Sequence, residues 1–456
     1  MNRSRIFKTI IIVVLFILGL IIVKNDDYVF LLLRKVKNFT FNNVKVIHDR
    51  KNLKVSGINK DKLNSIYVFI DGNYKSRLLD NNGGKFESVI DISDLKKGWH
   101  YVELKVNENR KTCFFVNVIN DSLALFVPDL LVKKARKENN NEKVQYLSYY
   151  MGNNLKDTYS STGIYWGIPK TTSFPVSEHI KLDDNKIPVV CYNKKTWIYN
   201  ATTISQYALY YYTENLADRP DDYKLFIRYA DWLVDNHDKG AYRFNVKLPY
   251  RTGIREYGHC SGLSQGQALS VLARAYYLTK DEKYIKAGNE VYNFMIKEWD
   301  GHINGTLQTI DDVTRLHDSL RPYSHFVVYE EALTNPKNHV LNGDMIALIG
   351  LYDWYSLCPD RTISQDAKKR FYDGVKAIEL LLPFYDYYGY SSYDIAPYTS
   401  DYIVTFTSRY AHAVHICLLK VLYDLTGSKI CFEYYKRFKA YSDDPFFKQT
   451  DIMFRN

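Results

Sequence analysis

The sequence predicts a mainly α protein: an α/α toroid of helical hairpins, preceded by a small immunoglobulin-like β-sandwich and an N-terminal transmembrane helix. Three observations predict it. Ile10–Val23 is apolar throughout apart from one Gly, and it follows Arg3, Arg5 and Lys8. From Val44 to Asn120 the apolar residues recur with a period of two, as in a half-buried strand. Beyond residue 200 the spacing becomes that of an amphipathic helix.

The apolar run sets the first segment, residues 1–35, as a membrane anchor. It is shorter than the ~20 residues of an ordinary spanning helix, so a cleaved signal peptide competes with a signal anchor. Leu20-Ile21-Ile22-Val23 lacks the small-x-small exit that cleavage requires, which favours the anchor. Positive charge is concentrated ahead of the run and places the N-terminus in the cytoplasm. The expectation is a single-pass membrane protein whose main domains are extracytoplasmic.

Residues 44–120 form the β domain. Ser65-Ile-Tyr-Val-Phe-Ile, Tyr101-Val-Glu-Leu-Lys-Val and Cys113-Phe-Phe-Val-Asn-Val alternate, and Asp71-Gly72, Asn81-Asn82-Gly83-Gly84 and Asn107-Glu108-Asn109 punctuate them. Short strands at this density read as an immunoglobulin-like sandwich. Such a module is expected to be a spacer or packing partner, without chemistry of its own. The charged stretch Lys133–Lys143 then leads into the third segment, residues 125–456.

In that segment four helices share a shape. They are Ile204-Ser-Gln-Tyr-Ala-Leu, Leu263-Ser-Gln-Gly-Gln-Ala-Leu, Leu341-Asn-Gly-Asp-Met-Ile-Ala-Leu and His412-Ala-Val-His-Ile-Cys-Leu. Each opens on carboxamide or imidazole groups, runs on as an apolar helix, and is followed by a second helix: Asp221–Asn236, Asp281–Trp299, Ser364–Leu382 and Lys429–Tyr441. Repeated hairpins of this kind stack into a toroid whose inner helices line a central cavity. The polar openings would then face one mouth of it. Gln206, Gln267 and Asn342 there suit hydrogen bonding to sugar hydroxyls, or simple helix capping. His412 and His415 lie at i and i+3, either as proton donors to a sugar or as a satisfied polar layer.

Net charge is +10, carried by scattered Lys, with no long arginine run and no zinc-finger spacing. This argues against nucleic acid as a partner and fits an acidic polysaccharide or a lipid surface. The 41 Tyr and 23 Phe suit stacking on sugar rings, though a biased genome produces the same excess. The six cysteines lie far apart with no CxxC, so they read as free thiols, and neither a metal nor another cofactor is expected.

Several of these blocks are similar, in order and spacing, to the catalytic domain of the glucuronyl C5-epimerase family. They include Ile204-Ser-Gln-Tyr-Ala-Leu, Ala230-Asp-Trp-Leu-Val-Asp-Asn-His-Asp, Leu263-Ser-Gln-Gly-Gln-Ala-Leu, Tyr329-Glu-Glu, Val340-Leu-Asn-Gly, Tyr393-Asp and His412-x-x-His415-Ile416. The resemblance runs from about Ile198 to about Tyr441. It implies an isomerase that inverts C5 of uronic acid residues in a cell-surface or secreted polysaccharide by removing and returning a proton. It implies Glu331, Tyr393 and His412 as catalytic residues. Tyr329, Asn342, Gln206, Gln267, His415, Tyr410 and Arg409 are expected as substrate-binding residues, Arg409 on its charge and approximate position alone. Animal members of the family dimerise, so a homodimer is implied as well.

The chain departs from the family at three places. Ala332 and Ala411 stand where the family has Tyr, with Tyr410 one residue early, and Ile395-Ala396-Pro397 replaces Leu-Arg-His. Arg409 or Arg255 stands as the replacement for the lost guanidinium. Two other readings stay open on these residues: a uronate polysaccharide lyase, and a non-catalytic glycan-binding or assembly protein on the same scaffold.

Overall fold

The structure is a computed structural model. It describes residues 45–47, 52–58, 65–79, 85–107, 110–141, 158–166, 179–192, 196–212, 216–250, 253–301, 304–400, 404 and 409–443. The expected membrane anchor, residues 1–35, lies outside these residues. Among the described residues no helix is long and apolar enough to cross a membrane.

The first eight strands are β1 (Lys45–Ile47), β2 (Asn52–Ile58), β3 (Ser65–Ile70), β4 (Asn73–Leu79), β5 (Lys85–Asp91), β6 (Gly98–Asn107), β7 (Arg110–Val118) and β8 (Ala124–Pro128). They form two antiparallel sheets, β1-β8-β7-β6-β3-β4 and the pair β2-β5. Leu53 and Ile90 of the small sheet meet Val68, Val102, Phe114, Val116 and Phe126 of the large one, which makes a sandwich with its own core. Asp71 and Gly72, both at positive φ, turn β3 into β4 as the two-residue hairpin signal requires. An immunoglobulin-like domain shares its strands nearly evenly between its sheets, whereas among the described residues the split is six and two. The large sheet also continues past residue 120, because β8 adds itself between β1 and β7.

Alternation along β7 and β8 sends the intervening residues out of the sandwich on its other face. Trp99, Phe115, Leu125 and Val127 join the hydrophobic core of the helical region. Trp99 packs on Tyr388 with ring centroids 5.0 Å apart. Its Nε1–H donates to Asp386 Oδ2 at 3.3 Å. Asp386 is fully buried and also accepts from Arg437 Nη1 and from the Tyr441 hydroxyl, both at 2.9 Å. The sandwich is thus bonded into the helical region.

Helix α1 (Asp129–Asn141) leaves the sandwich, and four helical hairpins follow. They pair α2 (Ala201–Tyr211) with α3 (Pro220–Asp235), α4 (Gly262–Thr279) with α5 (Glu282–Met295), α6 (Leu341–Leu357) with α7 (Arg361–Tyr385), and α8 (Arg409–Thr426) with α9 (Lys429–Asp443). Short antiparallel ladders precede the first hairpin, β9 (Ile180–Leu182), β10 (Pro188–Tyr192) and β11 (Thr196–Tyr199), and separate later ones, β12 (Leu248–Tyr250) with β13 (Gly253–Arg255) and β14 (Leu307–Thr309) with β15 (Val327–Tyr329). Side chains start the helices. Asn200 caps α2, Asp281 caps α5 and Asp360 caps α7, each accepting from the first free backbone N–H groups.

The first helix of each hairpin is an inner one, and these pack in order, α2 on α4, α4 on α6 and α6 on α8. Burial separates the layers. α4 is buried at every position from Gly262 to Ala275, and α6 from Leu341 to Leu351, whereas α3 and α5 keep a wet face. The inner helices approach backbone to backbone. A Cβ on Gly266 would sit 2.5 Å from Ala347 Cα, and one on Gly350 would sit 2.1 Å from the Gly266 carbonyl oxygen. This double layer of hairpins agrees with the sequence-based expectation for the helical region.

Candidate functional site

Glu331 follows β15, where the chain crosses the starts of two inner helices. The Tyr329 N–H donates to Asp344 Oδ1 at 2.6 Å, Glu330 N–H to Thr306 O at 2.9 Å, and Gly262 N–H to Glu330 O at 2.7 Å. These bonds fix the backbone, and the Glu331 side chain lies against the first turn of α6. There Asn342 Nδ2 donates to its Oε2 at 3.2 Å. Gly343 makes room for it, since a Cβ at that position would stand 2.3 Å from Glu331 Cβ and 2.6 Å from Oε2.

Tyr393 comes from the segment between α7 and α8 and donates its hydroxyl to Glu331 Oε1 at 2.6 Å. The same segment is tied to α6, because the Leu341 N–H donates to Tyr393 O at 3.3 Å and the Ile395 N–H to Asn338 O at 3.0 Å. Both Glu331 and Tyr393 are half-buried. Burial raises the Glu331 carboxyl above its ordinary value. The Tyr393 hydrogen bond and the charge of Arg255, at the end of β13, pull the other way without cancelling it. A partly desolvated carboxylate, bonded to a phenol and within the field of a guanidinium, is suited to taking a proton beside an anionic group.

Behind this group is a second, buried one. Glu330 points away from Glu331, and its Oε1 lies 2.6 Å from His339 Nδ1, while His339 Nε2 lies 2.9 Å from Asp312 Oδ1. Burial works against a charge on His339, but the two carboxylates outweigh it and raise the ring to about 10. It is an imidazolium at neutral pH. Burial also pushes nearby Asp344 up to about 7. This cluster sets the backbone of Tyr329 and Glu330, and through it the position of Glu331. Glu330 lies within Tyr329-Glu-Glu and Asp344 within Leu341-Asn-Gly-Asp, whereas His339 and Asp312 carried no sequence signal.

The remaining sequence-derived candidates fall into three groups. Asn342 is in the site, and Gln206 and Gln267 lie half-buried and buried on the inner helices α2 and α4; Gln267 Oε1 has no partner among the described residues. Tyr329 is packed away from Glu331, with its phenol interacting with Arg370 of the outer helix α7. The side chains of Arg409 and Tyr410 lie outside the described residues.

His412 and His415 do sit side by side, but they do not join Glu331. His412 Nε2–H donates to Phe438 O at 3.2 Å, so its Nδ1 is the acceptor facing Ser391 Oγ at 2.7 Å. His415 Nδ1 lies 2.9 Å from the same hydroxyl. Burial holds both rings neutral, His412 near 3 and His415 well below the usual range. With both nitrogens of His412 taken by the protein and Tyr390 stacked on its face at 4.2 Å, the expected catalytic role is replaced by a buried bridge between α8, α9 and the Ser391 segment. Among the described residues no group of three His, Cys, Asp or Glu could hold a metal.

Comparison with known proteins points to the same helices. Residues 235–440 match the family model described as the D-glucuronyl C5-epimerase C-terminus. The D-glucuronyl C5-epimerase of Caenorhabditis elegans is 27% identical over 305 residues, covering 64% of this chain and 46% of that protein. An uncharacterized protein of Methanocaldococcus jannaschii is 28% identical over 200 residues, 44% of this chain and 57% of that one. The chain thus spans about half the length of the curated relatives it matches. Among solved structures, a polysaccharide lyase aligns over 88% of this chain and 48% of its own, with 11% identity and a TM-score of 0.30.

Proposed function

Residues 235–440 fall in the D-glucuronyl C5-epimerase C-terminal family, and from that premise we propose that this chain inverts C5 of uronic acid residues in an acidic polysaccharide. The observation that carries the reading is the 2.6 Å hydrogen bond from Tyr393 to Glu331. H5 of a uronate is α to a carboxylate and is barely acidic, so its removal needs a base, a group that offsets the growing negative charge, and a proton donor.

Each role has a residue. Glu331 as carboxylate takes H5, breaking the C5–H bond and leaving the electron pair delocalised into the substrate carboxylate. Arg255, whose charge already acts on Glu331, would offset that charge, and Asn342 would fix the base. Tyr393 returns a proton to C5. Inversion requires donor and acceptor on opposite faces of C5, so the bound sugar must come between Tyr393 and Glu331 and replace their hydrogen bond. When the product leaves, Glu331 holds the added proton and Tyr393 is a phenolate. Re-forming the bond passes that proton back and closes the cycle without a cofactor.

The location belongs to the same proposal. The apolar run at Ile10–Val23 and the excess of Lys fit a chain tethered at a membrane and acting outside the cytoplasm on an anionic polymer. A homodimer, as in animal members of the family, is proposed with it.

The test is proton NMR of the protein with uronate polysaccharides in deuterated water. Deuterium entering at C5 together with signals of the inverted uronate supports the reading. A new vinyl proton would instead mean elimination at C4, the lyase reading. Binding without exchange would mean a glycan-binding scaffold. Tyr393→Phe is expected to lower inversion by about 10²–10⁴-fold, the usual worth of a general acid or base. Removal of H5 should survive better than inversion, and equal loss of both would overturn the division of roles.

A further inference from the structure

A cavity of about 390 Å³ opens between the sandwich and the helical region. It has the size of small-molecule sites, and none of Glu331, Tyr393, Asn342 or Arg255 lines it. Its wall includes Asn117, Tyr323, Phe326, Lys97, Lys376 and Arg437.

Asn117 shows that this is more than a packing gap. It sits on β7 on the same outward face as Phe115, two residues away, and so points from the sandwich toward the helices. It is 1% exposed, and its Nδ2 has no hydrogen-bond partner among the described residues. Buried amide donors are nearly always paired, so an empty one on the wall of a cavity marks a place for an acceptor.

The rest of the lining says which kind of acceptor. Tyr323, 41% exposed, meets Phe326 at 5.4 Å and offers aromatic surface of the kind that packs on sugar C–H faces. Lys97 and Lys376 are largely exposed and loosely paired, 3.4 Å from Glu433 and 3.6 Å from Asp373. The two carboxylates in the lining are already engaged, Glu433 by Arg437 at 2.8 Å and Glu379 by the Ser428 hydroxyl. What remains at the mouth is a pair of loosely held, largely exposed ammonium groups that can turn to an incoming anion.

We propose that this cleft is a second glycan site, binding an acidic sugar residue of a polysaccharide chain away from Glu331. The polymer's identity rests on the reading above; the site itself does not.

The test uses the full chain and a glucuronate-containing tetrasaccharide in calorimetric titration, with the neutral N-acetylglucosamine tetramer as control. Two acidic-sugar sites per chain are expected, and the exposed pair Tyr323→Ala with Lys376→Glu should remove one of them. The same pair should raise KM for the polymer about tenfold at unchanged kcat. Asn117→Leu should remove the same site without lowering Tm, since it deletes an unmet donor. If that variant fails to fold, the exposed pair decides alone. Unchanged stoichiometry and Kd in the exposed pair would overturn the proposal, as would equal binding of the neutral tetramer. If the protein shows no exchange at C5 on any substrate, the epimerase reading falls. The titration would still decide the cleft: loss of a site in the variants supports it, and no change rejects it.

Discussion

Glu331→Gln is expected to lower exchange of H5 by about 10²–10⁴-fold while leaving glycan binding and the fold in place. Gln has the size of Glu, so it fills the space that Gly343 leaves and still accepts from Tyr393 or Asn342. It cannot take a proton from carbon. The pH profile carries a second, independent expectation. Burial raises the Glu331 carboxyl above the ordinary carboxylate value, and only its ionised form is the base. In the wild type kcat must therefore fall as the pH drops through that raised value and reach a plateau above it. The residual rate of Glu331→Gln should lack this limb. Exchange within a few-fold of wild type in Glu331→Gln, or a rate that rises on acidification, would remove Glu331 from the mechanism.

The largest stability effect is expected at Arg274, far from the chemistry but inside the same wall. Its side chain and that of Asp353 are both fully buried, joined by Nη1 to Oδ2 at 2.6 Å between the inner helices α4 and α6. The same guanidinium donates to the Tyr159 hydroxyl at 3.0 Å and to backbone carbonyls of Ser160, Gly163 and Ser270. Tyr159 also donates to Asp353 at 2.8 Å. Burial works against the charge on Arg274, and Asp353 outweighs it, so the guanidinium remains charged. Arg274→Met leaves the Asp353 carboxylate buried without its cation, at a cost of about 3–5 kcal/mol. Adding Asp353→Leu removes the stranded charge and should recover most of that loss, a difference that chemical denaturation resolves. A single variant within 1 kcal/mol of wild type, or a double variant no better than the single, would show that water reaches the pair.

Periodicity made the four hairpins legible, because an inner helix buried all round and an outer helix with one wet face leave different patterns in the sequence. Glu331, Asn342 and Tyr393 were legible too, as members of blocks whose order resembles a known family. The partners that hold them were not. Glu330, His339 and Asp312 meet across three separate segments, and Arg274 finds Asp353 across two helices. No spacing rule predicts which buried charge will answer another over such distances in the chain. His412 and His415 show the opposite limit. Their i, i+3 spacing did place two imidazoles together, but whether that side of α8 turned toward sugar or toward Ser391 and Phe438 depended on α9, whose sequence gave no sign of it. The sandwich was read from alternation alone, which fixes which residues face inward but not how strands divide between sheets.

The bond from Trp99 to Asp386 has a consequence in time. The sandwich is made first, and its inner core can close as soon as β8 has left the ribosome. The face carrying Trp99 and Phe115 then waits for Tyr388, 273 residues after Phe115. At synthesis rates of about 5–20 residues per second, that wait is on the order of ten seconds to a minute. Throughout it an aromatic surface destined for the interior stands open to the surroundings. Nascent chains of this protein therefore carry a window of exposure that lasts at least until Tyr388 arrives, and the set around Asp386 is complete later still, with Arg437 and Tyr441.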